Sequence, residues 1–342
     1  MISIGVRNLL AVGATAFAAS FSVMDANPSL FIFDRFVASD KRLQDHFRGK
    51  SIWIAGASSG IGAEIARRLS RHGANVILSS RPSERLEAVA VSCRELCTAN
   101  TVSVVPLDMT ASESDLESAV DQVKDILGSG SLDCVILNAG RGQLAPASKT
   151  SYETTEQIFR LNTLAPISLT SILFKRGLLQ ENKGKHLVIT SSVGAKFGVP
   201  LSSSYSASKH ALHGYYNSLK AECPWLRVDL ICPGPVATEF HKNHIGRSDP
   251  KDAIKRNAPE KPVRELKMPV GRCASLIVSS MLMNGGGERW VSEHPTLLAL
   301  YLNQYFPGLF QQALQKIGPV RLKAWEEGKN LYDPNTWKRS GK

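Results

Sequence analysis

Three glycines, Gly56, Gly60 and Gly62, stand between the apolar run Ser51-Ile52-Trp53-Ile54-Ala55 and the amphipathic stretch Ala63-Glu64-Ile65-Ala66-Arg67-Arg68-Leu69. This GxxxGxG spacing at the end of an apolar run constrains the chain more than any other feature. A strand has to turn sharply into a helix there, and side chains at these positions would obstruct the turn and any close approach of a ligand to the backbone. The amides that open such a helix carry partial positive charge outward, which suits the pyrophosphate of a dinucleotide. Ser58, Ser59 and Ile61 fill the turn and are expected among the cofactor contacts. A glycine triplet alone is weak evidence, but its position between a strand and a helix makes it strong.

The same succession repeats along the chain. Strands are expected at Ser51-Gly56, Asn75-Ser80, Thr101-Leu107, Leu132-Asn138, His186-Ser191, Arg227-Cys232 and Arg289-Val291. Helical stretches fall between them, at Ile61-His72, Ser83-Cys97, Glu113-Leu127, Glu153-Arg176 and Ser206-Glu222. Most of the strands are continuously apolar, the pattern of parallel strands covered by helices on both faces. The expected fold class is α/β, a Rossmann-like doubly wound parallel sheet of about seven strands with ligands at the strands' carboxyl ends.

The second expected strand ends Leu78-Ser79-Ser80-Arg81, where a dinucleotide fold reads the adenosine ribose. An acidic side chain there would bind the ribose 2′-hydroxyl and repel a 2′-phosphate. None is present. Arg81 offers a planar, fixed charge suited to a phosphate, with Ser80 and Ser58 as further donors. That favours NADP(H) over NAD(H), unless Arg81 pairs with Glu84 or Glu87 on the following helix.

The chain's 342 residues include 41 Lys and Arg against 30 Asp and Glu, a formal net charge of +11. A basic balance sets association tendencies without naming a partner. Nucleic acid is not expected, because neither a zinc-ligand spacing nor a clustered basic helix accompanies the charge. Eight Lys/Arg against four Asp/Glu lie between Lys242 and Lys267, either a solvated face or a flap that meets a membrane or gates the substrate. The six cysteines are scattered. Cys93 and Cys97 are one helical turn apart with no second pair, so neither a disulfide framework nor a metal site is expected. There is no Asn-x-Ser/Thr acceptor to argue for a glycosylating lumen.

Both ends differ from the body. Leu9 to Met24 is an uncharged run of 16 residues. That is short for a helix crossing a core of about 30 Å, yet long enough for a signal-type region, a tilted anchor or a helix in the membrane surface. Leu30-Phe31-Ile32-Phe33 with Phe36 and Val37 is expected to extend that contact. Membrane attachment is the reading favoured here, ahead of a cleaved targeting peptide and a soluble packing arm. Toward the other end, Leu297-Tyr301 and Tyr305-Phe310 are apolar and aromatic. They suit a dimer contact, a cap over the substrate pocket, or a second contact with a membrane surface.

Tyr205 and Lys209 are four residues apart on one expected helix and share a face. A free tyrosine ionises near pH ~10, and a cation one turn away moves that value toward the range where proton transfer is effective. Alongside Tyr205-Ser206-Ala207-Ser208-Lys209 and the glycine turn stand Leu137-Asn138-Ala139-Gly140, Leu161-Asn162-Thr163, Val188-Ile189-Thr190-Ser191-Ser192 and Pro233-Gly234-Pro235-Val236-Ala237-Thr238. In order and spacing these segments resemble the short-chain dehydrogenase/reductase family across roughly residues 50 to 295.

The resemblance implies a strand order 3-2-1-4-5-6-7 and a role for each residue. Tyr205 exchanges the proton with the substrate oxygen. Ser192, thirteen residues before it, holds that oxygen as negative charge develops. Lys209 lowers the tyrosine's pKa and binds the nicotinamide ribose, and Asn162 holds a water that passes a proton toward the lysine. Asp108 lies near the adenine, Asn138, Ala139 and Gly140 line the cofactor, and Pro233, Gly234, Val236 and Thr238 lie beside the nicotinamide. Ala55 and Leu137 depart from the family pattern, which has Thr and Asn there. Those positions brace strands and do not touch reacting atoms.

The organisation implied is one catalytic domain, 48–295, between an N-terminal hydrophobic anchor or targeting segment, 1–47, and an apolar, then basic, C-terminal extension, 296–342. The activity implied is hydride transfer between NADP(H) and the carbonyl or alcohol of an apolar substrate such as a retinoid, steroid or quinone. Trp290-Val291-Ser292-Glu293-His294-Pro295 and Leu297-Leu298 resemble a membrane-associated branch of the family. That implies attachment to the endoplasmic reticulum, with an organelle-targeted or cytoplasmic location as alternatives, and a homodimer. The loop from Glu239 to Met268 and the apolar segment after it suit a hydrophobic ligand. The competing readings are a catalytically idle, NADP-sensing protein and a membrane scaffold. The complete set Asn162, Ser192, Tyr205 and Lys209 speaks against the first, and deletion of residues 1–47 is what separates the two.

Overall fold

The computed structural model describes residues 21–96, 100–181, 185–245 and 266–333. Its centre is a parallel sheet of β1 (Ser51–Ala55), β2 (Asn75–Ser79), β3 (Val102–Val104), β4 (Cys134–Leu137), β5 (His186–Thr190), β6 (Arg227–Pro233) and β7 (Gly287–Val291). Their order across the sheet is β3-β2-β1-β4-β5-β6-β7, the order expected from the sequence. The reversal beside β1, between β2 on one side and β4 on the other, opens the crevice where such sheets bind ligands.

Strand side chains alternate between two cores, which is why the strands read as continuously apolar. Ile52, Ile54, Val76, Leu78, Ile136 and Val188 point into one. Trp53, Ile77, Val135, Leu137, Leu187 and Leu230 point into the other. The first core is closed by α3 (Gly60–Arg71), α4 (Glu84–Leu96) and α9 (Val270–Ser280). The second is closed by α5 (Glu113–Leu127), α7 (Ala165–Lys175) and α8 (Ser203–Glu222). Each large apolar side chain withdrawn from water here contributes about 1.5–3 kcal/mol.

Two elements differ from expectation. The third strand is shorter, and Pro106, which lacks an amide for the ladder, follows soon after its end. The single helix expected over Glu153-Arg176 is broken into α6 (Tyr152–Phe159), a π-helical turn at Arg160–Leu164, and α7, with Pro166 in the first turn of α7. Proline has no amide to donate backward, so the wider turn passes Asn162 and Thr163 into the interior.

The described part of the N-terminal segment is built into the body. After α1 (Pro28–Phe36) and α2 (Asp40–Phe47), Leu30, Leu43 and Phe47 lie in the first core. Arg272 on α9 grips Asp25 through Nε and Nη2 at 2.6 and 3.0 Å, and Asp34 through Nη1 at 2.6 Å. Leu30 is therefore core and not membrane contact, while Ile32 and Phe36 face outward. Most of the Leu9–Met24 run and residues 246–265 of the basic segment lie outside the described residues.

Beyond β7, α10 (Thr296–Tyr305) and α11 (Pro307–Glu326) lie over the loops that follow β4 and β5. Phe310 packs edge-to-face on Phe197, and Asn303 donates to the Lys196 carbonyl. Ala324 and Leu331 form a cluster with Leu144 and Leu201. Among the described residues no helix is long and apolar enough to cross a membrane.

Candidate active site

The glycine turn joins β1 to α3. Gly56 has φ of +88°, and a Cβ there would lie 2.6 Å from the Ala139 amide nitrogen. A Cβ at Gly62 would run into the Gly56 carbonyl, so α3 begins directly against the strand end. Asn138 holds the same carbonyl through Nδ2 at 3.0 Å and accepts from the Thr190 hydroxyl at 3.1 Å, tying β1, β4 and β5 together at their carboxyl ends. Ser59, the residue before α3, makes no capping bond with its side chain. The first-turn amides are thus left to an outside acceptor, flanked by Ser58 and Ile61. Across the crevice, the Thr238 methyl would lie 3.4 Å from a Cβ at Gly60. Pro233, Gly234, Val236 and Thr238 therefore form the far wall, at the end of β6 and just beyond it.

The ribose end is cationic. Ser80 donates to the Arg81 carbonyl at 2.9 Å, and Arg81 is exposed, with no ion pair to Glu84 or Glu87 among the described residues. Partial burial works against the charge of Asp108, yet two hydrogen bonds from Thr110, with Arg81 and Arg160 nearby, hold its pKa below the usual carboxylate range. These features fit a dinucleotide carrying a 2′-phosphate: a glycine-lined turn, free helix amides, and an arginine in place of an acid.

Ser192, Tyr205 and Lys209 converge at the other end of the crevice. Ser192 caps a short 3-10 turn and accepts from the Gly194 amide at 3.0 Å. Tyr205, in the first turns of α8, hydrogen-bonds Ser192 through its hydroxyl and stacks edge-on to Phe240 at 6.0 Å. Lys209 is buried; its Nζ donates to the Thr190 carbonyl at 2.9 Å and sits 6.0 Å from the centre of the Tyr205 ring. Asn162 bonds the Arg141 amide and carbonyl at 2.8 and 2.9 Å and reaches the Ser208 hydroxyl at 3.1 Å. A Cβ at Gly140 would lie 3.3 Å from Asn162 Oδ1 and 3.6 Å from Lys209 Nζ, so the two side chains flank one glycine.

The electrostatics differ from the sequence expectation in one respect. Burial pushes the Tyr205 phenol up to about 12, with the Ser192 hydrogen bond working the other way. Burial also pulls Lys209 down to about 8. In the protein alone, dehydration of the site outweighs the stabilisation of phenolate expected from Lys209. The lysine's proton is spent on the Thr190 carbonyl.

Behind these residues lies a network that sequence reasoning missed. The Glu288 carboxylate accepts from Lys196 Nζ at 3.0 Å, His213 Nδ1 at 3.2 Å and the Trp290 indole. Burial raises its pKa, but those donors outweigh burial and hold it at about 2. Because a carboxylate only accepts, Nδ1 of His213 carries a proton, and Nε2 faces the Ser191 hydroxyl at 2.9 Å. Cys232 Sγ approaches the same nitrogen at 3.6 Å. His213, Cys232 and Glu288 each bring a ligand atom within 4.8 Å of the others. The two ring nitrogens face different partners and Lys196 neutralises the carboxylate, so the group braces the strand end beneath Ser192 and is not a metal site. His213 was legible, since Tyr205, Lys209 and His213 repeat at four-residue spacing on one helix face. Glu288 carried no such signal.

The segment leading into Tyr205 was also missed in detail. Leu201 holds a left-handed backbone, φ 70°, between Ser192 and Tyr205, a strained conformation for a bulky side chain. The Ala145 amide bonds its carbonyl at 2.9 Å, and its side chain joins Leu144, Ala324 and Leu331. The Tyr332 phenol lies close enough to add to the rise in Tyr205's pKa.

Fold and site together define a dinucleotide-dependent oxidoreductase of the short-chain type. The sequence pattern of the short chain dehydrogenase family matches residues 50–247, and the chain belongs to that family. It is 34% identical over 289 residues to mouse "Dehydrogenase/reductase SDR family member 7", covering 83% of this chain and 81% of that one. The human protein of that name is 35% identical over 282 residues, covering 81% and 80%. A Dictyostelium discoideum "Dehydrogenase/reductase SDR family protein 7-like" is 31% identical over 302 residues, covering 86% and 90%. Among solved structures, an alcohol dehydrogenase from Thermococcus sibiricus complexed with 5-hydroxy-NADP aligns with a TM-score of 0.62 at 22% identity, over 72% of this chain and 97% of that one. A Burkholderia cenocepacia short chain dehydrogenase in complex with NADP aligns at 0.60 and 22%, over 79% and 98%. Both share the fold.

Proposed function

We propose that the chain moves hydride between NADP(H) and the carbonyl or alcohol of an apolar small molecule, through Ser192, Tyr205, Lys209 and Asn162. The observation that carries this reading is the meeting of Ser192, Tyr205 and Lys209 at the strand ends, beside the glycine turn. NADP(H) is favoured over NAD(H) by Arg81, by the lack of an acid at the end of β2, and by the NADP-type ligands of the two solved relatives.

NADPH, when bound, supplies the hydride. The Ser192 oxygen already accepts from the Gly194 amide, which directs its own proton toward a substrate oxygen. The raised pKa of Tyr205 keeps the phenol protonated at neutral pH, the form that gives its proton to the same oxygen when a carbonyl is reduced. Lys209 supplies the positive charge that steadies the phenolate left behind. Asn162 anchors the Arg141 backbone and holds the Gly140 side of the crevice against Lys209.

An apolar substrate is supported by Phe240, which lies edge-on to the Tyr205 ring at 6.0 Å. Retinoids, steroid ketones and quinones are the classes to try. The same reading puts the chain at a membrane, the endoplasmic reticulum foremost, supported by the uncharged Leu9–Met24 run.

The test is NADPH oxidation by the detergent-solubilised protein against those three classes, with NADH in parallel. Turnover that prefers NADPH is the expected result. Tight NADPH binding with no turnover of any carbonyl would favour the NADP-sensing protein instead.

A further inference from the structure

Helices α10 and α11 turn an apolar surface to solvent. From Pro295 to Gln315 the sequence holds no charged residue. On α10, Leu297 and Leu300 are buried and fix the helix to the body, while Leu298, Leu302 and Tyr305, spaced at i, i+4 and i+7, remain 44%, 39% and 68% exposed. Phe306 and Leu309, 56% and 65% exposed, carry the surface onto α11. That helix has 20 residues and buries only Phe310 and Ala324. A contiguous apolar surface of this kind on a folded chain marks an interaction site.

Two observations point to what covers it. The first is the position of Phe21. Phe21, inside the uncharged run Leu9–Met24, stacks edge-on against Tyr301 of α10 at 5.4 Å and His294 at 4.9 Å, and its carbonyl accepts from His294 Nε2 at 2.8 Å. The described end of that uncharged run therefore lies beside the exposed face. The second is charge: once the uncharged stretch ends, α11 carries exposed Lys316 and Lys323 before its first acid, Glu326, while Arg321 turns inward to Tyr332. Aromatic side chains at the boundary and long cationic ones next to it are the composition of a helix pair lying in a lipid headgroup region.

We propose that the outer face of α10 and α11, formed by Leu298, Leu302, Tyr305, Phe306 and Leu309, rests in the surface of a lipid bilayer beside Phe21. Near the far end of α11, Ala324 packs with Leu331 against Leu144 and Leu201. The docking face does not rest on the reductase reading.

The experiment uses the full chain with a fluorescent nitrobenzoxadiazole label at Leu302→Cys or Leu309→Cys. Ser118→Cys on α5 is the control, and wild-type chain treated alike sets the background from native cysteines. Vesicles of phosphatidylcholine with a minority of phosphatidylserine carry nitroxide-bearing lipid as quencher. Labels at positions 302 and 309 are expected to shift to the blue and be quenched by the nitroxide lipid, and the label at position 118 to do neither. Three results overturn the proposal: a chain that does not float with vesicles, a floating chain whose 302 and 309 labels stay in water, and labels shielded without quenching as protein concentration rises, which would make the face a contact between two copies. NADPH oxidation in detergent is read on the same samples, so loss of the docking face and loss of the reductase reading are separate results.

Discussion

Lys209 sets the pH behaviour of cofactor binding. Burial lowers its pKa from 10.5 to about 8, so the free protein loses that proton as pH rises through about 8. If bound NADPH needs the charged lysine, binding takes up a proton above that value, and affinity falls by up to about tenfold per pH unit. Calorimetry in buffers of different ionisation enthalpy checks this; an affinity that stays flat to pH ~10 would remove Lys209 from the cofactor's contacts. Glu288 gives the opposite sign. Its folded pKa of about 2 lies below its ordinary 4.5, so its contribution is complete above about 4.5 and is lost as pH falls through about 2. The difference corresponds to roughly 2–4 kcal/mol. Glu288→Gln should lower stability at neutral pH by about that amount and flatten the acid limb of the denaturation curve, whereas an unchanged acid limb would mean the network bears little. At this scale the sequence was informative where chemistry demands fixed spacing. Tyr205 and Lys209 share a helix face, and Ser192 follows a strand end. Glu288 and Tyr332 meet the site from distant parts of the chain, and no local pattern announces such contacts or the left-handed backbone of Leu201.

Among the elements, the glycine turn and the broken helix place the site. A Cβ at Gly62 would collide with the Gly56 carbonyl. Gly62→Ala is therefore expected to push α3 off the strand and weaken NADPH binding by about tenfold or more, measured by fluorescence titration. Wild-type affinity would show that the turn does not hold the cofactor. The split of α6 and α7 was not legible from periodicity, because apolar spacing does not register one wider turn. Pro166 marked the spot, and the hydrogen bonds of Asn162 to Arg141 explain how the turn persists. The burial of Leu30 in α1 was not legible for a related reason: an apolar cluster before a domain looks the same whether it meets lipid or core. Arg272 ties α1 to the body by binding Asp25 and Asp34. Arg272→Met leaves both carboxylates without their cation and should cost roughly 2–4 kcal/mol in urea unfolding. Hydrogen exchange should rise over residues 28–47 first. Uniform exchange across the sheet instead would mean that this segment is not held by the arginine.

Over the whole molecule, the parallel sheet and its two cores followed from continuous apolar strands separated by amphipathic helices. The strand order followed from the family resemblance. The position of α10 and α11 did not follow, since their sequence is apolar on faces that pack and on faces that do not. Only the fold separates Leu297 and Leu300, which are buried, from Leu302 and Leu309, which are not. The central claim is that this arrangement is a reductase working through Tyr205. The most direct measurement is single-turnover NADPH oxidation by wild type and Tyr205→Phe with a carbonyl that the wild type reduces, alongside NADPH binding by both. The predicted result is unchanged binding with a loss of about a hundredfold or more in rate, the scale of a removed proton donor. A phenylalanine variant that turns over at the wild-type rate would contradict the account.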